Sequence, residues 1–229
     1  MTEKQTIIYR FECENSTVLE VDASLDKNSL HQFHKPTSTP PEWSRLEYNQ
    51  CTNCPLHASE HPFCPLAVAL IPLIELFSDH ISHEQVSVTV TTDERIIQSA
   101  TTMQRALSSL LGLIIATSGC PHTTPFQVMA RFHLPFSSNE ETTYRAVTNY
   151  LLGQYFQREQ APDWQLSGLR EIYQQLQVVN QGISKRLRNV CDEDATVNAV
   201  VLLDLFAKDI PYSIEDALEE IRPMFSSPK

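Results

Sequence analysis

Three of the six cysteines of this chain lie within fourteen residues, and prolines directly follow two of them. The segment 50–70 reads QCTNCPLHASEHPFCPLAVAL. Cys51 and Cys54 form a C-x-x-C pair, a spacing that lets one tight turn direct two sulfur atoms at a common centre. Cys64 precedes Pro65, which is favoured at the first position of a helix. The segment is therefore predicted to fold as a turn that leads into a helix, with Cys64 at its N-terminus, where the helix dipole favours thiolate.

A fourth cysteine is predicted at the end of another helix. Apolar residues recur at helical intervals over 102–117, and Thr101 is followed three residues later by glutamine, the spacing of a capping box. Gly119 should end this helix in a left-handed conformation, and Pro121 should prevent its continuation. Cys120 lies between these two residues. Each of the four thiols would thus project from the end of a rigid element, as a pre-organised four-sulfur site requires.

The chain as a whole is predicted to have an α+β fold. A small antiparallel β-sheet of two hairpins would lie in the N-terminal half and pack with a mostly α-helical C-terminal half. The hairpins are indicated by residues 6–22 and 85–100, which alternate apolar and polar side chains around short polar breaks. Residues 24–50 have no periodicity and predict a loop.

The C-terminal part of the sequence has helical periodicity throughout. Ser138 and Glu141 have the spacing of a capping box that opens the first of these helices. The predicted helices cover approximately 138–157, 167–190, 195–208 and 213–225. We divide the chain into an α/β portion, 1–135, which carries the cysteine-rich metal-binding loop, and a helical portion, 136–229. The two portions could form one continuous domain.

The charge and the N-terminal sequence restrict the compartment and the partners. Lys and Arg number 17 against 28 Asp and Glu, and a formal charge of -11 argues against binding to nucleic acid or anionic membrane. The sequence has no signal-like N-terminus, and its longest apolar run, 66–74, is far shorter than the roughly 20 residues of a membrane span. We therefore expect a cytoplasmic protein. Thiols stay reduced there, so the cysteine cluster indicates metal binding or catalysis before disulfides.

The shared site predicted for Cys51, Cys54, Cys64 and Cys120 suits more than one metal. Structural zinc sites usually use two close pairs of ligands, whereas this sequence has one pair and two single cysteines. A Cys-Pro step occurs in ferredoxins, and proline follows three of the four candidate ligands, although the full spacing matches no ferredoxin pattern. We predict a 4Fe–4S cluster, with zinc as the alternative. Buried cysteines without a metal and thiol–disulfide exchange at Cys51 and Cys54 are further interpretations.

Several basic residues near the cysteines are further candidates for the site. His122 and His61 could replace a cysteine as a ligand or orient one through a hydrogen bond. The stretch MARFHLPF, residues 129–136, would place Arg131 and His133 on one side if it were extended. These two groups could bind an anion or a partner's carboxylate, and the alternative is a partly buried arginine paired with a carboxylate of this chain.

Several longer segments of the sequence resemble one known family. The segments are QCTNCPL, FCPLAVAL, RALSSLLGLIIATSGCPHT, MARFHLPF and DATVNAVVLLDLFA. Together they resemble a group of uncharacterised bacterial proteins that are classed as a domain of unknown function, over about residues 46–225. The resemblance implies a bacterial cytoplasmic protein, and it supplies no activity, ligand or partner.

Three functions are compatible with these features. The leading hypothesis is a cysteine-ligated iron–sulfur protein for electron transfer or for redox or iron sensing, and we do not expect a classical enzyme. The second is a zinc-stapled interaction module. The third is a cluster-dependent enzyme acting on a small molecule, in which three cysteines leave one iron open and His122 or Arg131 acts beside it. The partner would be another protein or a second copy of the chain, because the helix at 102–117 suits a core and a dimer interface equally.

Overall fold

The antiparallel strands of the described residues lie in the N-terminal half and the C-terminal half is mostly helical, which confirms the predicted α+β class. The computed structural model describes residues 3–32, 39–157, 161–190 and 196–201, together with 214, 216 and 218–225. The strands are β1 (Lys4–Gln5), β2 (Ile7–Cys13), β3 (Val18–Asp22), β4 (Leu25–Asp26), β5 (Gln85–Thr92) and β6 (Ile96–Thr102). The helices are α1 (Pro65–Phe77), α2 (Met103–Thr117), α3 (Gln127–Arg131), α4 (Asn139–Phe156) and α5 (Ser167–Leu187).

The main sheet has four antiparallel strands in the order β3-β2-β5-β6, while β1 and β4 pair separately. Both predicted hairpins are confirmed, as β2 with β3 and β5 with β6. Successive side chains of a strand point to opposite faces, so one face carries the apolar positions of both central strands. These buried positions are Ile7, Tyr9, Phe11, Val86, Val88 and Val90.

The helices α1 and α2 bury their apolar faces in the same core as this sheet face. Leu70 of α1 and Leu110 of α2 are fully buried there, and Ile183 and Leu187 of α5 join the same cluster. A second, smaller cluster is centred on Val147 of α4 and on α5. The core thus brings α5 against the cysteine-bearing half of the molecule, and the division of the chain at residue 135 stays a prediction.

The start of α2 differs from the sequence-based expectation, and the predicted capping box is wrong. The N-cap residue is Thr102, whose side chain makes no cap hydrogen bond. The first helical amides donate instead to main-chain carbonyls, Met103 N to Glu84 O (2.8 Å) and Gln104 N to Ser82 O (3.0 Å). Because β6 runs directly into α2, the chain entering β5 lies close enough to supply these acceptors.

The end of α2 follows the prediction. Gly119 has φ +86°, a conformation that costs glycine least, and Pro121 opens a 3₁₀ turn, Pro121–Phe126. The next segment differs from the prediction, because Gln127–Arg131 is helical rather than extended. Arg131 and His133 are therefore not on one side of a strand. The Arg131 guanidinium lies 5.5 Å from the centre of the Phe132 ring.

The helical half is described in part. The capping box at Ser138 is confirmed, with Glu141 N donating to Ser138 Oγ and the Glu141 carboxylate accepting from Ser138 N. Of the two last predicted helices, residues 196–201 and 218–221 are helical, and much of the remainder lies outside the described residues. Within the described part of the chain, no helix has the length and apolar content that a membrane span requires.

Candidate metal centre

The four cysteines singled out from the sequence surround one small gap. Cys51, Cys54, Cys64 and Cys120 all line it, and the gap has a volume of about 20 Å³. All four thiols are free and partly buried. The other residues lining the gap are Leu56, Pro65, Leu66, His122, Val179 and Ile183. The structure therefore brings together thiols from three separate segments, inside a mostly apolar wall.

The C-x-x-C pair lies on a turn that is fastened on two sides. Cys54 N donates to Cys51 O (3.0 Å), which closes the turn. Asn53 Nδ2 donates to the backbone oxygen and to Oε1 of Gln175 in α5, at 3.1 and 2.7 Å. Asn53 O accepts from His122 Nε2 at 2.7 Å. His122 thus ties this turn to the segment that carries Cys120, and its ring nitrogen serves as a hydrogen-bond donor.

The two single cysteines occupy the helix ends that the sequence indicated. Cys64 is the N-cap residue of α1, and its amide donates to Ser44 O at 2.8 Å. Cys120 caps the 3₁₀ turn that follows α2, and its carbonyl accepts from Thr123 N at 3.0 Å. Both residues have extended backbone conformations before a proline, which turns their side chains out of the helices.

A glycine of α5 makes the closest approach to the site. A β-carbon built on Gly182 would lie 2.6 Å from Cys51 Sγ, a distance at which something must shift. Val179 and Ile183, on the same helix, line the gap. Only glycine at position 182 lets α5 close this side of the site without displacing the Cys51 sulfur.

A buried arginine lies beside the thiols. Arg186 of α5 is 1% exposed, and its Nη atoms donate to three backbone oxygens, Trp43 O (2.9 Å), Arg45 O (2.7 Å) and Leu46 O (2.9 Å). Burial raises the pKa of Cys51, and the charge of Arg186 opposes this increase. Among the described residues, no carboxylate forms an ion pair with this guanidinium. A negatively charged centre at the thiols would therefore have a buried cation nearby.

Burial and mutual repulsion oppose ionisation of the metal-free thiols. Burial raises the pKa of Cys51 to about 11, and thiolates at Cys64 and Cys54 would raise it further. Burial also raises the pKa of Cys120 to about 12, while the backbone N–H of His122 donates to this sulfur and lowers it. Cys51 and Cys120 are thus protonated at neutral pH, and a metal would bind to them by displacing protons.

The separation of the ligand sulfur atoms differs between a zinc site and a 4Fe–4S cluster. Tetrahedral zinc holds thiolates at about 2.3 Å, which sets sulfur–sulfur distances of about 3.8 Å. Among the four candidate cysteines, no three sulfur atoms all lie within 4.8 Å of one another. In a 4Fe–4S centre an iron–sulfide core stands between the thiolates and keeps them farther apart. As the side chains lie, the sulfur atoms are therefore not gathered into a zinc tetrahedron.

The remaining candidates from the sequence lie elsewhere. His61 is exposed on the turn at 57–61. Arg131 stacks on Phe132, and its carbonyl accepts from Gln5 Nε2 at 2.9 Å. His133 lines a separate, larger cavity and forms a 2.6 Å hydrogen bond with the Tyr9 hydroxyl. Of the four basic candidates, His122 is the one that the structure brings to the thiols.

The sequence analysis identified neither Gly182 nor Arg186. A signal was available only for Arg186. Val179, Ile183 and Arg186 are separated by four and three positions, so an arginine continues an apolar helical stripe. An arginine in such a stripe indicates a buried cation with acceptors supplied by another part of the chain. The position of its partners, however, depends on how α5 docks, which local sequence does not encode.

A second group of possible metal-ligating residues, which the sequence analysis did not identify, lies near the end of α1 that is remote from Cys64. Ligand atoms of Cys13, His80 and Glu84 lie within 4.8 Å of one another. His80 Nδ1 and Glu84 Oε2 form a 2.7 Å hydrogen bond. Burial raises the pKa of Cys13 to about 11, and the charge of Glu84 and a hydrogen bond to it raise it further. These three groups satisfy one another, so their proximity has an explanation without a metal.

Comparison with known proteins identifies a family. A family model described as a domain of unknown function, DUF6901, matches residues 7–226. The chain belongs to this family. No curated protein and no solved structure matches the chain. The family match begins in β2 and so includes the first hairpin as well as all four cysteines, whereas the sequence segments indicated a resemblance from about residue 46.

Proposed function

We propose that this protein is an iron–sulfur protein in which Cys51, Cys54, Cys64 and Cys120 bind one 4Fe–4S cluster. The observation that carries the proposal is the convergence of these four thiols, out of five described cysteines, on one gap between three segments of the chain. The apolar wall and the nearby Arg186 support it, because they would limit solvent access and compensate the negative charge of a thiolate-ligated cluster.

The role that we propose is electron transfer or redox or iron sensing. Four cysteine ligands saturate the iron atoms of a 4Fe–4S cluster and leave none open to a substrate, which favours electron exchange over catalysis at the metal. The acidic surface that follows from a charge of -11 would suit a partner with a basic docking surface. A reducing compartment such as the bacterial cytoplasm would keep the thiols free to bind metal.

The test is the metal and acid-labile sulfide content of protein purified without oxygen, together with its visible spectrum. We expect a brown protein with about four iron and four sulfide per chain. A colourless protein with one zinc per chain would contradict the cluster and select a zinc-stapled structural module instead. Protein that contains neither metal after anaerobic purification and reconstitution with iron and sulfide would contradict a metal site altogether.

Cysteine variants test the ligand set with a matched control. Cys64→Ser and Cys120→Ser should each lose most of the iron and the visible absorbance. Cys13→Ser is the control, because Cys13 is also a buried free cysteine but lies on β2 away from the gap. Full iron content in Cys120→Ser, or equal loss in all three variants, would contradict the proposed ligands.

A further inference from the structure

A large cavity, distinct from the gap between the thiols, opens on the other side of α2 and α5. Its volume is about 670 Å³, within the range of roughly 300–1,000 Å³ that holds drug-sized ligands. Residues of α2, α3, α4 and α5 line it, together with the segment 133–137. No lining residue from the described part of the chain is acidic, and Arg105 and Arg145 both line it. The charge of this wall favours an anion.

Among the polar groups of the cavity, the Arg145 guanidinium offers only hydrogen-bond donors. Arg145 Nη2 donates to Met129 O (2.8 Å) and Phe132 O (2.9 Å), which fixes the guanidinium in place. Its other two nitrogen atoms make no hydrogen bond to any described residue, and burial lowers the pKa of the group. Tyr173 and the carboxylate of Glu141 both lie close enough to interact electrostatically with this guanidinium.

A buried amide on α5 points to an absent acceptor. Asn180 is 2% exposed and lines the cavity, yet its Nδ2 has no hydrogen-bond partner among the described residues. A buried donor without an acceptor destabilises the protein, and a ligand oxygen would relieve this cost. Asn180 lies one helical turn after Leu176 and two turns after Tyr173 on α5, so these residues share one face of the helix.

The rest of the wall is apolar. Leu113 and Ile115 of α2, Phe126 and Met129 before and in α3, and Leu176 of α5 supply side chains without charge. Such a wall binds a hydrocarbon or aromatic body by removing its apolar surface from water. The cavity therefore combines a cationic donor group with an apolar chamber of considerable size.

We propose that this cavity binds a small amphipathic carboxylic acid, whose carboxylate accepts hydrogen bonds from Arg145 and Asn180 and whose apolar body lies against the α2 and α3 side chains. A carboxylate suits the site because a planar guanidinium and a primary amide can both donate to its two oxygens. The assignment does not depend on which metal the thiols hold, since Cys51, Cys54, Cys64 and Cys120 do not line this cavity.

The test compares a carboxylic acid with the corresponding alcohol, using the full chain with the metal that it retains. Decanoate should bind with one molecule per chain in calorimetric titration, at least tenfold more tightly than decan-1-ol. Titration with 4-phenylbutyrate distinguishes a straight-chain from an aromatic body, and tighter binding of either acid supports the site. Equal affinity for the acid and the alcohol, or no binding of either acid, would overturn the proposal.

Two variants assign the head group, with one control. Arg145→Gln and Asn180→Leu should each weaken decanoate binding roughly tenfold or more and leave decan-1-ol binding nearly unchanged. Arg131→Gln is the control, because Arg131 ends α3, a helix that borders the cavity, but stacks on Phe132 and does not line the cavity. The ratio of acid to alcohol affinity separates lost recognition from lost folding. An unchanged ratio in both cavity variants would overturn the assignment.

Discussion

Helix α5 forms part of two sites, and the two sides of the helix are packed very differently. On one side Gly182 lies so close to Cys51 Sγ that a single methyl group would not fit, and the gap between the thiols has a volume of about 20 Å³. On the other side Leu176 and Asn180 border a cavity of about 670 Å³. Close packing fixes atoms in position, whereas retained space with unmatched donors indicates an incoming group. The same helix thus positions the proposed cluster ligands on one side and borders the proposed carboxylate site on the other.

The largest effect should follow from adding one methyl group on the tight side. Gly182→Ala places a β-carbon 2.6 Å from Cys51 Sγ, so either the sulfur or the helix must move. We expect metal content, measured by elemental analysis, to fall to background. Gly153→Ala is the control, because a β-carbon on this glycine of α4 meets no atom within 4 Å and alanine favours a helix. Normal metal content in Gly182→Ala would contradict the close packing of α5 against the Cys51 sulfur.

The next largest effect concerns the buried cation beside the thiols. Arg186→Gln should destabilise the metal-free protein by about 3 kcal/mol, because three backbone carbonyls lose charged donors in a buried site. Urea unfolding measures this change. Arg188→Gln, at an exposed position two residues later, should remain within about 0.5 kcal/mol of the wild type. Equal effects of the two substitutions would contradict a structural role for Arg186.

In the wall of the large cavity, His133 should make the free energy of unfolding depend on pH. Burial, and then repulsion by Arg145, lowers the pKa of His133 to about 3 in the folded protein. In the unfolded chain its pKa is about 6.5, so between these values the unfolded state binds more protons and stability falls as the pH falls. The loss is about 2 kcal/mol at pH 5 relative to pH 8.

Urea unfolding at pH 8, 6 and 5 isolates this contribution when variants are compared. His133→Gln should lose stability less steeply toward acid than the wild type, because glutamine does not titrate. His61→Gln, at an exposed position, should follow the wild-type curve. Parallel curves for His133→Gln and the wild type would show that His133 is not neutral and buried in the folded protein.

The smallest effect should come from enlarging a side chain on the cavity side. Leu176→Phe adds more atoms than Gly182→Ala, yet the cavity can accept them, so unfolding free energy should change by less than about 1 kcal/mol. Decanoate affinity should fall because the chamber is partly filled. A loss of stability as large as that in Arg186→Gln would remove the contrast between the two sides of α5.

Local features of the fold were predictable because they depend on neighbouring residues. The left-handed Gly119, the break at Pro121 and the capping box at Ser138 all follow from backbone sterics or from hydrogen bonds within one turn. The capping box at Thr101 failed because distant carbonyls, at Ser82 and Glu84, supply the acceptors instead. Helix α3 was missed because five residues contain too little periodicity to distinguish a helix from an extended segment.

The same distinction applies to the sites. The positions of Cys64 and Cys120 at helix ends could be predicted, since each precedes a proline at an element boundary. Gly182, Arg186 and Asn180 could not, because their roles depend on how α5 docks against distant segments. The cavity was also beyond sequence reasoning, because the apolar helix at 102–117 suited a core and a dimer interface equally well.

The order of the four thiols along the chain has a consequence for biosynthesis. Cys51, Cys54 and Cys64 leave the ribosome together, while Cys120 follows only after the second hairpin and α2, and Gly182 and Arg186 come later still. Domains acquire their structure as the chain emerges from its N-terminus. A nascent chain therefore exposes three thiols before Cys120, the closing helix and the buried cation exist, so the cluster proposed above would be complete only after synthesis has passed α5.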